Sequence, residues 1–316
     1  MTHYLQKMNY RFPSYLTLFE SGELAERVQQ AKEHLHNCRL CPRHCGVNRS
    51  AGQLGFCQVD DQILLYKPKI HFGEEPPVSG SRGSGILFFS GCTMACVYCQ
   101  NYPMSHWRQG DRVSPRMLAR IMLFLQQNQV HNLNLVTATQ FLPRVLEALM
   151  LAIPQGFHLP IVYNTNAYES IETLRLLDGI VDIYLPDFKY VERRWAKQYS
   201  ATPNYPEICQ RAIKEMYRQV GDLVVDDEGI ARHGVLIRHL ILPNGLASTA
   251  KVLEILTTKI SPRITFSLMS QYLPLWEARR YPDLARRITP EEYDEALRAL
   301  AAYHIDRGWI QEYEEK

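Results

Sequence analysis

Between residues 85 and 270, six short apolar runs alternate with stretches of helical periodicity, and that alternation leaves few architectures open. The runs are 86–90 (ILFFS), 134–137 (NLVT), 161–164 (IVYN), 181–185 (VDIYL), 234–242 (GVLIRHLIL) and 263–269 (RITFSLM). Continuous apolar runs of this length suit strands covered on both faces. Between them, Ser114-Pro115 reads as a helix cap and first turn, and the helix it opens places Met117, Leu118, Ile121, Met122 and Leu125 on one face. Further helices are predicted over 142–152, about 170–177, and 206–220, the last burying Ile208, Ala212, Ile213, Met216 and Val220. Thr289-Pro290-Glu291-Glu292 is a capping box for a final helix. Repeated strand–helix units imply a parallel sheet with right-handed crossovers. Six units fall short of the eight of a closed barrel. The expected fold is therefore α/β, a partial (β/α)6 TIM-type barrel over 81–270, with a doubly wound sheet as the alternative. Residues 1–80 form a cysteine-rich segment of short elements and loops, and 271–316 a C-terminal helical extension. No repeat of fixed period is present.

Bulk composition excludes more than it proposes. The chain has 316 residues, 46% of them apolar, enough for a sizeable core. A net charge of +2 with 22% charged residues leaves no footprint for nucleic acid or an anionic membrane. No apolar run is long enough to span a bilayer, and residues 1–20 lack the apolar region and cleavage site of a secretory signal. A cytoplasmic setting is expected, with thiols reduced. The eight cysteines cluster: four within 38–57, three within 92–99, and Cys209 on the apolar face of the 206–220 helix, where it reads as core.

The segment 90–101, SGCTMACVYCQN, spaces Cys92, Cys96 and Cys99 as C-x3-C-x2-C directly after the first strand. Three thiolates on one compact loop bind three irons of a cubane cluster. Most such clusters take four cysteines, so one iron is left open to a chelating ligand. Zinc is the competing reading, with His106 as a fourth ligand. The loop's place at a strand's carboxyl end, where α/β sheets put ligands, favours the cluster.

This motif resembles that of the radical S-adenosylmethionine (SAM) superfamily, and the chain resembles the activating enzymes of glycyl-radical enzymes such as pyruvate formate-lyase. It is most similar to their uncharacterised relatives with an N-terminal CxLCPRxCGVNR stretch. Tyr163-Asn164-Thr165-Asn166-Ala167 resembles the activases' D-T-N-G segment, Pro186-Asp187-Phe188-Lys189 their D-x-K segment, and 237–243 (IRHLILP) their R-Y-x-x-x-P strand. The resemblance implies a [4Fe–4S] cluster on Cys92, Cys96 and Cys99 and reductive cleavage of SAM to a 5′-deoxyadenosyl radical that abstracts hydrogen from substrate. It also implies an electron donor such as flavodoxin or ferredoxin. The substrate is either a small molecule, sugar or peptide, or the glycine of a partner glycyl-radical enzyme. A non-catalytic iron–sulfur electron carrier is the remaining alternative.

By the same resemblance, Tyr98 contacts adenine, Asn164, Thr165 and Asn166 bond the SAM ribose, and Asp187 and Lys189 stand on the substrate side. Each has a plainer reading: a core aromatic for Tyr98, turn chemistry for the asparagines, a surface ion pair for Asp187 and Lys189. Arg238, mid-strand in apolar surroundings, needs an anionic partner: a SAM carboxylate, a substrate anion, Asp187 or Glu169. His239, on the opposite strand face, reads as structural. The activases' G-G-E-P segment is Thr137-Ala138-Thr139-Gln140 here, with no carboxylate, so the Thr137 and Thr139 hydroxyls are the substitutes toward the SAM amino group. Their late histidine is replaced by Ser270-Gln271-Tyr272. Glu74 and Glu75, before two prolines, read as an acid or base or, more commonly for such a pair, as a solvated turn.

Cys38, Cys41, Cys45 and Cys57 are spaced C-x2-C-x3-C-x11-C. Four thiolates suit structural zinc or a second iron–sulfur cluster, with Pro42, Gly46, Gly52 and Gly55 supplying the turns. His36 and His44 are not needed to complete a tetrahedron.

Overall fold

The computed structural model describes residues 12–314, so the expectation for residues 1–20 falls largely outside the described residues. Its strands are β1 (Ile63–His71), β2 (Ser84–Phe89), β3 (Asp111–Val113), β4 (Leu133–Val136), β5 (Ile161–Thr165), β6 (Ile183–Pro186), β7 (Val224–Val225), β8 (Ala231–Leu240), β9 (Thr265–Met269) and β10 (Gly308–Ile310). They form one sheet in the order β10-β9-β8-β6-β5-β4-β2-β1-β3, with β7 beside β8. Along this order every pair from β2 to β10 is parallel, and the off-path β7 pairs antiparallel with β8. The β1–β2 and β1–β3 pairs are antiparallel. Among the described residues the edges β3 and β10 do not meet, so the barrel is open.

The six predicted strands are β2, β4, β5, β6, β8 and β9. Helix Leu142–Ala152 lies as predicted, and Tyr205–Val220 starts one residue early. Ser114 accepts from Met117 N, and Thr289 and Glu292 complete the capping box. Helix Pro115–Gln127 buries Leu118, Ala119, Met122 and Leu125, whereas Met117 is 45% exposed. The buried stripe is thus rotated from the predicted one, with Ala119 in it and Met117 out of it.

Two parts of the chain carry more regular structure than expected. Helices Tyr15–Ser21 and Glu23–Glu33 add to the outer layer, and Leu24, Val28 and Ala31 join the main core. The C-terminal segment holds helix Pro290–Ala302 and also β10, which lengthens the parallel sheet through β9.

Residues 73–80 stop the amino-terminal end of the barrel. Pro76–Ser79 forms a short helix, and Val78 packs inside with Val162, Ile183, Leu185 and Leu236. Asn132, just before β4, donates through Nδ2 to the Val78 carbonyl at 2.7 Å. The segment can turn there because Gly80 takes φ +48, and a Cβ at that position would lie 2.3 Å from Ile230 Cδ1 and 2.6 Å from His131 Nε2.

Gly80→Ala combines overpacking with left-handed strain, so a loss of about 1–3 kcal/mol is expected in urea unfolding. Gly156→Ala, at φ +90 with open space around it, carries the backbone strain alone, roughly 1 kcal/mol. Equal losses would contradict the tight seat of the stopper.

Candidate functional site

Cys92, Cys96 and Cys99 lie on the loop that leaves the carboxyl end of β2. The Gln140 side-chain amide fixes the loop's root, its Nε2 lying 3.0, 3.1 and 2.8 Å from the carbonyls of Ser90, Gly91 and Thr137. Gly91, at φ +77, has no room for a side chain: a Cβ would stand 2.8 Å from the Cys57 carbonyl. The N-terminal cysteine segment therefore presses directly on the loop, and Arg43 Nε adds a bond to the Thr93 carbonyl at 3.0 Å. From the other side, Ala95 N and Val97 N donate to the carbonyls of Ser200 and Tyr199.

Each sulfur has a donor aimed at it. Cys92 Sγ faces Met94 N and Asn166 Nδ2, both at 3.4 Å. Cys96 Sγ accepts from Ser200 Oγ at 3.0 Å, and Cys99 Sγ lies 3.1 Å from Ser105 Oγ. These cysteines reach the surface only in part, and burial pushes the Cys92 thiol up to about 12 and Cys99 to about 11. Three neighbouring thiolates are tenable there only around bound cations. Donors on every sulfur and an adjacent ammonium, Lys189, fit that role. Among the described residues no three His, Cys, Asp or Glu side chains are already closed about one point. The thiols are neighbours that a bound group would draw together. His106, the alternative zinc ligand, points its Nε2 to the Cys96 carbonyl at 3.1 Å instead.

Beneath the loop runs a buried chain of charges. Arg238, near the end of β8, meets Asp187 Oδ1 through Nε at 3.0 Å, Glu74 Oε2 at 3.2 Å and Asn164 Oδ1 at 2.5 Å. Lys189 Nζ meets Asp187 Oδ2 at 2.6 Å. Burial opposes the Asp187 charge, but Lys189 and Arg238 outweigh it and hold its carboxyl below the usual range. Burial also works against the Lys189 ammonium; Asp187 and then Cys96 more than restore it. Glu74 is shifted the other way, upward, because burial exceeds the pull of Arg238. The expected solvated turn at Glu74 is corrected: its side chain enters the barrel from the stopper and accepts from Asn134 and Asn164. Of the partners considered for Arg238, Asp187 is the one engaged, with Glu74 added.

The remaining predicted site residues separate into two groups. Asn166 sits on the cluster loop, its Nδ2 3.2 Å from Thr93 Oγ1. Thr137 N bonds the Asn164 carbonyl, and Thr137 and Ala167 hold left-handed φ of +59 and +58. Strained backbone of this kind collects at functional loops. Thr139 and Thr165 face outward from the strand ends and both donate to the fully buried Glu169 Oε1, at 2.7 and 2.5 Å. Burial raises Glu169 to about 7 against those hydroxyl bonds. Tyr98, 5% exposed, packs against Tyr190 and Tyr272. His239 bridges the Phe188 carbonyl and Thr249, and Cys209 is core, as their sequence positions implied. Sequence reasoning misses Gln140, although it stands in the Thr137–Gln140 segment the resemblance marks, and takes Glu74 for a turn residue.

The family model for the Radical SAM superfamily matches residues 86–221, a span that excludes the first cysteine group. An uncharacterised protein of Methanocaldococcus jannaschii is 31% identical over 288 residues, 89% of this chain and 79% of its own. HydG, a maturase of the [FeFe]-hydrogenase, superposes over 97% of this chain and 68% of its own at TM-score 0.50 and 12% identity, a likeness of fold alone. Streptococcus suis SuiB bound to S-adenosylmethionine gives TM-score 0.47 at 8% identity over 70% of this chain, which spans about half, 48%, of that structure. A domain of pyruvate-formate lyase-activating enzyme from Bacteroides vulgatus gives 0.36 at 13% identity, covering 64% of this chain and 96% of the domain.

Arg238→Met would strand the buried Glu74 carboxylate and leave Asp187 with Lys189 alone, and is expected to cost about 3–5 kcal/mol near neutral pH. Glu74, already held above its ordinary value, then rises further. Since only its charged form is penalised, the deficit is full at neutral pH and shrinks as pH falls toward the carboxylate range. Adding Glu74→Gln recovers part of the loss. Chemical denaturation at pH 7 and pH 5 checks this; a small, pH-independent loss would contradict the buried network.

Proposed function

The chain belongs to the radical SAM superfamily, and from that premise we propose that it cleaves S-adenosylmethionine reductively at a [4Fe–4S] cluster held by Cys92, Cys96 and Cys99, then abstracts hydrogen from a small molecule, sugar or peptide. The observation that carries the reading is the thiol loop itself, at the carboxyl end of β2, with a hydrogen-bond donor on each sulfur. When bound, the cluster and SAM supply a single-electron transfer and a carbon-centred radical at the nucleoside C5′.

The chain's own residues bind, orient and shield. Lys189 offsets negative charge at the thiols, and Asp187 holds the ammonium in place. Asn166 ties the β5 end to the cluster loop and is the predicted SAM-contacting side chain placed to face a ligand there. Asn164 and Arg238 would serve SAM or substrate only by exchanging present partners. Thr137, its backbone held by Asn164 and Gln140, is the proposed hydroxyl toward the SAM amino group; Thr139 and Thr165 act indirectly, by fixing the loops through Glu169.

The loop is flanked on both sides. Glu277 N donates to the Val97 carbonyl and Gln100 Nε2 to the Gln271 carbonyl, so the C-terminal segment lies against it. The first cysteine segment lies against its other flank. This flanking supports exclusion of water from the chemistry, and it favours a free substrate over the glycine loop of a partner enzyme. The proposed electron donor is a flavodoxin or ferredoxin.

Anaerobically reconstituted protein given SAM and dithionite is expected to release 5′-deoxyadenosine, detected by mass. The Cys92→Ala/Cys96→Ala/Cys99→Ala variant releases none. Lys189→Met, compared at equal cluster content, is expected to be slower by about tenfold or more. A cluster-loaded wild type that releases none, with candidate substrates present, would sink the proposal.

A further inference from the structure

Cys38, Cys41, Cys45 and Cys57 stand outside the chemistry described above, yet they line one enclosed cavity with Arg43 and Arg49. The cavity holds about 10 Å³, roughly the space of a single water-sized sphere. A space that small, closed by four thiols, suits one tetrahedral ion. Local backbone brings the four cysteines to one cavity, where a bound ion would draw the sulfurs together. Cys38 N bonds the Val47 carbonyl and Gly46 N the Cys38 carbonyl, at 3.0 Å each, folding the first three cysteines into a tight hairpin. Gly55 passes so near that a Cβ would stand 3.0 Å from Cys45 Sγ. The next amide, Phe56 N, donates to that sulfur at 3.3 Å.

Charge gives a second, independent pointer. Arg49 is 1% exposed, the largest fully buried side chain among the described residues. Its terminal nitrogens reach the carbonyls of Gln140 and Asp60, but Nε has no partner. Arg43 donates to Thr93 and stacks 3.6 Å over Phe56, with one terminal nitrogen also unpartnered. Neither guanidinium forms an ion pair with a carboxylate among the described residues. A buried cation without an anion is costly. A divalent ion with four thiolates carries two net negative charges, and two guanidinium groups balance them.

We propose that these four cysteines bind one zinc ion, in a closed tetrahedral site whose charge Arg43 and Arg49 neutralise. The site is structural. Through Arg49 it reaches Gln140, the residue that fixes the root of the catalytic loop, and through Arg43 it reaches Thr93 within that loop. A metal in the N-terminal segment thereby braces the loop that carries Cys92, Cys96 and Cys99.

The test uses the full chain with Cys92, Cys96 and Cys99 changed to Ala, which removes the other thiol site and makes the outcome independent of SAM cleavage. Purified from zinc-supplemented medium, this variant is expected to hold about one zinc per chain by elemental analysis. Grown with cobalt in place of zinc, it should show the intense visible bands of tetrahedral thiolate-bound Co²⁺. Adding Cys41→Ser and Cys57→Ser should abolish both signals. Should that variant fail to fold, the cobalt spectrum of the first still decides the matter. Iron with acid-labile sulfide in the first variant would overturn the proposal in favour of a second cluster. Metal-free protein, or cobalt bands typical of oxygen and nitrogen ligands, would overturn it outright.

Discussion

Arg238 joins parts of the molecule that are far apart in sequence. From β8 it reaches Glu74 on the barrel stopper, Asp187 at the end of β6 and Asn164 on β5. A guanidinium can do this because its donors form a planar fork that meets several acceptors at once. Two carboxylates and two cations share the interior, so the group is neutral as a whole. Such a group is costly to break and contributes little net stability when intact. Its effect is positional. Asp187, held by Arg238 on one oxygen, holds Lys189 by the other, and Lys189 acts electrostatically on the three cysteines above.

The loop that carries Cys92, Cys96 and Cys99 is fixed by a different chemistry. Loops at strand ends leave backbone groups without sheet partners, and Gln140 collects three of those carbonyls on one side-chain amide. Gly91 then lets the first cysteine segment approach at backbone distance. The open barrel thus sets the direction of the loop, while the N- and C-terminal segments set its freedom.

Much of this was legible in the sequence where pattern and function coincide. The six central strands are continuous apolar runs, the helix starts carry Ser-Pro and Thr-Pro-Glu-Glu caps, and the thiol spacings stand out from any background. What escaped had no local signature. Glu74-Glu75-Pro-Pro has the composition of a solvated turn, and only the closure of the barrel around Val78 carries Glu74 inward. β10 is three residues long in a helix-rich segment, and its existence depends on the free edge of β9. The hydroxyls of Thr139 and Thr165 read toward a ligand, but alternation along β5 turns Thr165 outward, and Thr139, in the short helical turn after β4, meets it at Glu169. Tyr98 reads both as an adenine contact and as a core aromatic, and its ring packs with Tyr190 and Tyr272.

The central claim is that three thiolates, and no fourth protein ligand, hold a cluster with one iron open to SAM. Electron paramagnetic resonance of the reduced, reconstituted protein, recorded before and after SAM is added, tests it most directly. A change in the g-values on adding SAM is the predicted result, because chelation alters the environment of the open iron. A spectrum unmoved by saturating SAM would show that the fourth iron is already taken, and the account of the site would fail.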